Sequence, residues 1–222
     1  MADYSATRDR VEDYFDRSAT KVWARLTSDA PVSRIRQTVR EGRDRMRAVM
    51  LSRLPADLTG RRVLDAGCGT GLVTAELAAR GAEVVAVDIA PQLIEIARQR
   101  LPADLNGRVT FRAGDMTDEG LGQFDHVVAM DSLIYYDAPA IGRILDRLGA
   151  RTSHNIVFTV APRTPFLMVF WQAGKLFPRS DRSPVMIPHA LPDLAAVATG
   201  RITRVERVSR GFYTSDCLEY LA

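Results

Sequence analysis

The sequence predicts an α/β fold, a mostly parallel sheet with helices on both faces and an antiparallel pair at its edge. Three observations carry this. From Arg61 onward, short apolar runs alternate with helical periodicities, the order expected of βαβ units. The first run, Val63-Leu64-Asp65-Ala66, leads directly into Gly67-Cys68-Gly69-Thr70-Gly71, where glycine at every second position lets the backbone bend sharply and approach a ligand. The second run, Val84-Val85-Ala86-Val87, ends on Asp88, about 20 residues on, where a carboxylate at a strand end can accept ribose hydroxyl protons. Turn and acid together point to an adenosyl ligand.

Two helical patterns precede the glycine turn. The first places Val11, Tyr14, Phe15, Val22, Trp23 and Leu26 on one stripe and ends at Ala30-Pro31. The second runs from about Val32 to Leu54, with Ile35, Val39, Met46, Val49 and Met50 inward and Arg34, Arg36, Arg40, Arg43, Arg45 and Arg47 interspersed. Residues 1–56 are therefore expected to form a helical extension or lid, and 57–222 the main domain.

Within that domain, strands are expected near 62–66, 83–88, 109–114, 124–131 and 154–160, and helices near 70–80, 91–101 and 138–150. Asp65, Asp88, Asp115, Asp131 and Pro162 then fall at the carboxyl ends of strands, where open parallel sheets bind ligands. Ile202 to Val208 and Phe212 to Tyr220 read as the antiparallel edge pair. Residues 161–190 break the alternation after the fifth strand, rich in proline and in large apolar side chains. Such an insertion covers a large flat apolar substrate, packs on the sheet, or makes a dimer contact.

Composition excludes several classes. With 222 residues, 46% hydrophobic and 26% charged, the chain can bury an ordinary globular core. The net charge of +3 is spread over alternating signs, with Lys21 and Lys175 the only lysines, so no nucleic-acid footprint is present. Cys68 and Cys217 are too few for a disulfide framework or a Cys-based zinc site; no metal is expected, and a reducing cytoplasm suits them. The first 15 residues lack an apolar h-region and no run approaches 18 apolar residues, so neither export nor a membrane span is expected.

The glycine pattern departs from the dinucleotide fingerprint at Leu72, where a third Gly or Ala would stand, which disfavours a nicotinamide oxidoreductase. No Gly-Lys-Ser/Thr follows, which excludes a P-loop. The string Asp65-x-Gly67-x-Gly69-x-Gly71 instead resembles the first motif of class I S-adenosylmethionine-dependent methyltransferases, with a Rossmann-like sheet. That resemblance implies cofactor contacts from Asp65, Ala66, Gly67 and Gly69, from Asp88 and Ile89, and from Asp115, Met116 and Met130. Asp115 as a helix N-cap is the competing reading.

A closer resemblance covers essentially the whole chain. Asp13-Tyr14-Phe15-Asp16 with Trp23, Val39-Arg40-Glu41-Gly42, Asp131-Ser-Leu-Ile-Tyr-Tyr136, the aromatic segment Phe166 to Phe177, and Gly211-Phe212-Tyr213 with Leu218-Glu219-Tyr220 are similar to the magnesium-protoporphyrin IX O-methyltransferase family of bacteriochlorophyll biosynthesis. It implies methylation of one propionate carboxylate of a magnesium porphyrin, giving the monomethyl ester and S-adenosylhomocysteine. It also implies contact with magnesium chelatase and a cytoplasmic protein that can meet the membrane surface peripherally. Tyr14 is a candidate cover for the cofactor, and Arg40 a candidate for its carboxylate or a substrate propionate. Tyr135 and Tyr136 are candidates for orienting the acceptor, and Trp23, Phe166, Phe170, Trp171 and His189 for holding it.

Cyanobacterial relatives have His where this chain has Tyr135, and Tyr where it has Thr27. No obligatory base is expected, because a propionic carboxyl with a pKa of about 4.3 is already ionised at neutral pH. The alternatives are another planar acceptor, of which a phenol with a pKa of about 10 would need a base, and a non-catalytic S-adenosylmethionine- or tetrapyrrole-binding module.

Overall fold

A computed structural model describes residues 4–16, 20–27, 31, 33–165, 168 and 184–222, without the side chains of 21–23. Seven strands form one sheet: β1 Arg62–Ala66, β2 Glu83–Asp88, β3 Val109–Ala113, β4 Phe124–Ala129, β5 Thr152–Val160, β6 Arg201–Arg210 and β7 Tyr213–Leu221. Their order is β3-β2-β1-β4-β5-β7-β6. The first five are parallel, and β7 pairs antiparallel with both β5 and β6. The order reverses between β1 and β4, which opens a crevice at their carboxyl ends.

Alternation along each strand supplies two cores. Leu64, Val85, Val127 and Ile156 face one side, where α6 (Ala138–Gly149) covers them with Ile141, Ile144, Leu145 and Leu148. Their neighbours Val63, Val84, Val128 and Val157 face the other side, under α3 (Arg34–Leu51) and α4 (Leu72–Ala79). Burial on both faces is why these strands read as continuous apolar runs. Asp137 caps α6 by accepting from the Ala140 N–H at 2.9 Å. Further helices are α1 (Tyr4–Tyr14), α2 (Thr20–Leu26), α5 (Pro91–Arg100) and α7 (Leu191–Ala195).

Helix α3 packs on β6 and β7. Its buried stripe is Gly42, Met46, Val49 and Met50, at helical spacing. Gly42 sets the depth of that packing: a Cβ there would stand 2.7 Å from Tyr213 Cδ1.

Three expectations and one competing reading need correction. The first N-terminal pattern is two helices, α1 and α2, with a wider turn at Phe15 and Asp16, and α2 ends at Leu26 well before Pro31. Ile35 lies on the solvent side of α3, 57% exposed, because the sheet-facing stripe begins two turns later, at Gly42. The fourth strand ends at Ala129 because Asp131 adopts φ 55°, which no strand accommodates. Asp115 does not cap a helix; the short 3₁₀ turn Glu119–Leu121 that follows is capped by Asp118. Among the described residues no helix is long and apolar enough to cross a membrane.

Candidate active site

At the crevice between β1 and β4 the glycine turn is drawn against the neighbouring strand. The Gly67 and Cys68 N–H groups both donate to the Val87 carbonyl, at 2.8 and 3.0 Å. Gly67 has φ 84°, and a Cβ on it would lie 2.3 Å from Ser132 Cβ, so only glycine passes there. Gly69 has φ 55° and faces open space. The Asp88 carboxylate anchors the turn, accepting from the Gly69 N–H at 2.8 Å and the Ala90 N–H at 2.9 Å.

Burial raises the Asp88 carboxyl to about 6, partly offset by the Ala90 and Gly69 N–H groups and reinforced by Asp16. Asp65 lies deeper, accepting from Thr74 Oγ1 at 2.6 Å. Burial is again the main cause of its rise to about 7, opposed by the Thr74 hydroxyl, with the nearby Asp88 adding to it.

At the end of β3, Asp115 Oδ1 accepts from Thr117 N and Oγ1, both at 2.8 Å, and from the Tyr4 hydroxyl at 2.7 Å. Arg8 reaches Oδ2 at 3.4 Å. Partial burial alone would raise the Asp115 pKa, but the Thr117, Tyr4 and Arg8 donors outweigh it and hold the carboxylate ionised. Tyr4 also stacks on Tyr136, with ring centroids 5.3 Å apart.

Beyond β4, Asp131 is held from three elements. It forms an ion pair with Arg43 of α3, accepts from Thr159 Oγ1 of β5 at 3.0 Å, and accepts from the Tyr213 hydroxyl of β7 at 3.2 Å. Its own N–H donates to Thr159 Oγ1 at 2.7 Å.

Tyr4, Arg8, Arg43, Asp65, Gly67, Asp88, Asp115 and Asp131 line one cavity of about 290 Å³. Of the residues singled out in the sequence, Arg40, Asp65, Gly67, Gly69, Asp88, Ile89, Asp115, Met116, Met130, Tyr135 and Tyr136 border it. Others do not. Ala66 is fully buried beneath the turn. Tyr14 is off the lining because α1 turns Tyr4, Arg8, Val11 and Phe15 inward, a stripe at i, i+4, i+7 and i+11. His189 is packed away from the cavity, buried, with Nε2 donating to the Tyr136 carbonyl at 2.9 Å; burial lowers its pKa and keeps it neutral. The Trp23 side chain, Phe166, Phe170 and Trp171 lie outside the described residues. Sequence reading missed Tyr4, Arg8 and Arg43 as lining groups, whereas Asp131, placed by it at a ligand-facing strand end, does border the cavity.

Comparison with known proteins settles the family. The chain is 69% identical to the magnesium-protoporphyrin O-methyltransferase of Rhodobacter capsulatus over 220 residues, covering 99% of this chain and 98% of that protein. The chain belongs to the magnesium-protoporphyrin O-methyltransferase family. The Synechocystis enzyme of that name is 29% identical, over 94% of each chain. A family profile described as magnesium-protoporphyrin IX methyltransferase C-terminus matches residues 129–222, and a methyltransferase domain profile matches 63–153. The crystal structure of the magnesium protoporphyrin IX methyltransferase from Synechocystis PCC 6803 with bound SAH superposes with a TM-score of 0.81 at 28% identity, covering 97% of this chain and all of that one.

The cavity of this methyltransferase fits S-adenosylmethionine on its own chemistry. Carboxylates at three successive strand ends, Asp65, Asp88 and Asp115, suit a cationic ligand carrying ribose and an amino-purine. Ile89, Leu93 and Met116 offer apolar faces between them. The Ser132 hydroxyl, buried at the Gly67 turn, has no hydrogen-bond partner among the described residues, an orphan that a polar ligand would satisfy.

Proposed function

We propose that this chain methylates a propionate carboxylate of magnesium-protoporphyrin IX, releasing the monomethyl ester and S-adenosylhomocysteine. The observation that carries this reading is the continuity of one cavity from the Gly67 turn, past Asp88 and Asp115, to Tyr135, Tyr136 and Arg43. The adenosyl-type acids Asp65, Asp88 and Asp115 lie at one end, and Tyr135 with the Arg43–Asp131 pair at the other.

When bound, S-adenosylmethionine would supply a sulfonium methyl, whose carbon bonds to the carboxylate oxygen as its bond to sulfur breaks and S-adenosylhomocysteine leaves. The protein's residues then have to align, enclose and exclude. Burial, with Asp131 adding, holds the Tyr135 phenol well above its ordinary pKa, so it stays protonated and serves as a hydrogen-bond donor to the acceptor. A pre-ionised carboxylate needs no proton removed, and in-line positioning alone provides effective molarities on the order of 10⁵ to 10⁸ M. Attack of an anion on a sulfonium cancels charge, so the enclosure that α1 makes through Tyr4, Val11 and Phe15 favours the transition state over solvated reactants. The proposed lid is thus α1 with α2, whereas α3 belongs to the scaffold. The support for contact with magnesium chelatase or a membrane surface is the low solubility of the pigment and the family resemblance.

The test is incubation of purified protein with S-adenosylmethionine and magnesium-protoporphyrin IX, followed by chromatography with mass detection. A gain of one methyl mass on the pigment is expected; no gain, or methylation only of a quinone or phenol offered in parallel, would overturn the reading.

A further inference from the structure

An acceptor carboxylate entering a largely enclosed cavity needs a cation opposite it, because a desolvated charge left alone is costly. Among the described residues four arginines line the cavity, and they are not equivalent. Arg8 lies at the end of β3, against Asp9 and Asp115. Arg47 is paired with Glu76 and Asp44 on the α4 side. Arg40 donates to the Leu26 and Arg25 carbonyls, beside the Thr70–Thr27 hydroxyl contact over the glycine turn.

Arg43 differs in place. One turn along α3 from Arg40, it reaches the end of β4, and its side chain is 17% exposed. There Asp131 and Arg43 both act on the Tyr135 phenol, the first raising and the second lowering its pKa, which puts all three groups within electrostatic reach. We propose that the Arg43–Asp131 pair is the subsite for the acceptor's carboxylate, with Arg43 as its cation and Asp131 as the group that aims Arg43. This rests on the carboxyl-methylation reading above.

The geometry supports each half. A guanidinium is a planar fork suited to carboxylates, and its orientation is most useful when one edge is already fixed. Asp131 fixes it, and is itself fixed by its left-handed backbone, the Thr159 hydroxyl and the Tyr213 hydroxyl. An aimed cation next to a phenolic donor recognises the acceptor by its carboxylate, not by its ring.

Magnesium-protoporphyrin IX and its dimethyl ester, which differ only in ionised carboxylates, are titrated into the full-length wild type and the Arg43→Gln, Arg43→Lys and Arg45→Gln variants. Porphyrin fluorescence reports binding and circular dichroism reports folding. Arg43→Gln is expected to weaken the free acid about tenfold while leaving the ester within about twofold, as for loss of a charge-assisted bond. Arg43→Lys should recover part of the loss, because charge returns without the fork. Arg45, 61% exposed and paired with Glu206, should change neither ligand when replaced by Gln.

Equal loss on acid and ester, or no loss on the acid, would overturn the assignment. If Arg43→Gln does not fold, Arg43→Lys carries the same comparison, and an unchanged acid-to-ester ratio refutes it. A wild type that binds the acid selectively through Arg43 but never methylates it would sink the functional reading and leave the subsite standing.

Discussion

The Tyr4 hydroxyl donates to Asp115 Oδ1 at 2.7 Å, joining the first helix to the end of β3 across 111 positions of sequence. The same ring stacks on Tyr136, so one side chain ties the closing helix to both the adenosyl and the acceptor ends of the cavity. A hydrogen bond to a carboxylate contributes about 1.5–3 kcal/mol and the ring pair about 0.5–1.5 kcal/mol. Tyr4→Phe removes only the first, and Tyr4→Ala removes both. S-adenosylhomocysteine should leave Tyr4→Phe about tenfold faster than wild type, by stopped-flow displacement, and Tyr4→Ala faster again. Equal release rates for all three proteins would show that α1 does not retain the ligand.

The buried carboxylates Asp65 and Asp88 make ligand binding and fold stability respond to pH with opposite signs. Their folded pKa values, about 7 and about 6, stand above the usual carboxylate value of 3.8. The folded protein therefore binds protons more readily than the unfolded chain, and these groups favour folding most below pH 3.8, losing that contribution as pH rises toward 7. A cationic ligand prefers the ionised forms, so S-adenosylmethionine should bind more weakly as pH falls from 8 to 5.5 and release protons on binding near pH 6.5. Titration calorimetry in buffers of different ionisation enthalpy measures that proton count. Proton uptake, or affinity flat across the range, would contradict the assignment.

Tyr135 tests whether the reaction needs a base. Its phenol is protonated at every physiological pH, and the acceptor carboxylate is ionised before it enters. Tyr135→Phe should keep kcat within about tenfold of wild type, with an unchanged pH profile between 7 and 9, since one donor bond to the acceptor is lost. Abolished turnover with intact porphyrin binding would mean that the hydroxyl does chemistry.

The parallel strands were legible because two-sided burial writes them as unbroken apolar runs, as in Val84 to Val87. The glycine turn and the three strand-end acids follow from the same logic. The opposite end of the cavity was harder to read. Asp131 takes a left-handed backbone without being glycine, so nothing in the sequence marks where β4 stops. Tyr4 and Arg8 extend the Val11, Phe15 stripe backwards at i−7 and i−3, a signal hidden by reading α1 and α2 as one helix. Arg40, Arg43 and Arg47 sit at i, i+3 and i+7 on one side of α3, but arginines on its other sides, at 34, 36 and 45, hid the stripe.

Gly42 connects that helix to the chemistry through packing. In an exposed helix Gly→Ala stabilises by about 1 kcal/mol, because alanine loses less backbone entropy. Here the new methyl would stand 2.7 Å from Tyr213 Cδ1 and 2.9 Å from Tyr213 Cβ, and Cβ is the rooted end of that side chain, so α3 must move outward. Overpacking of this kind costs about 1–3 kcal/mol, enough to reverse the sign. Gly42→Ala should therefore lower the denaturant midpoint despite its better helix propensity. Arg43 is the next residue on that helix, and Tyr213 is also a donor to Asp131, so the same displacement loosens the Arg43–Asp131 pair from both sides. KM for the porphyrin should rise more than KM for S-adenosylmethionine. A stabilised Gly42→Ala protein with both constants unchanged would show that α3 has room that the 2.7 Å approach denies it.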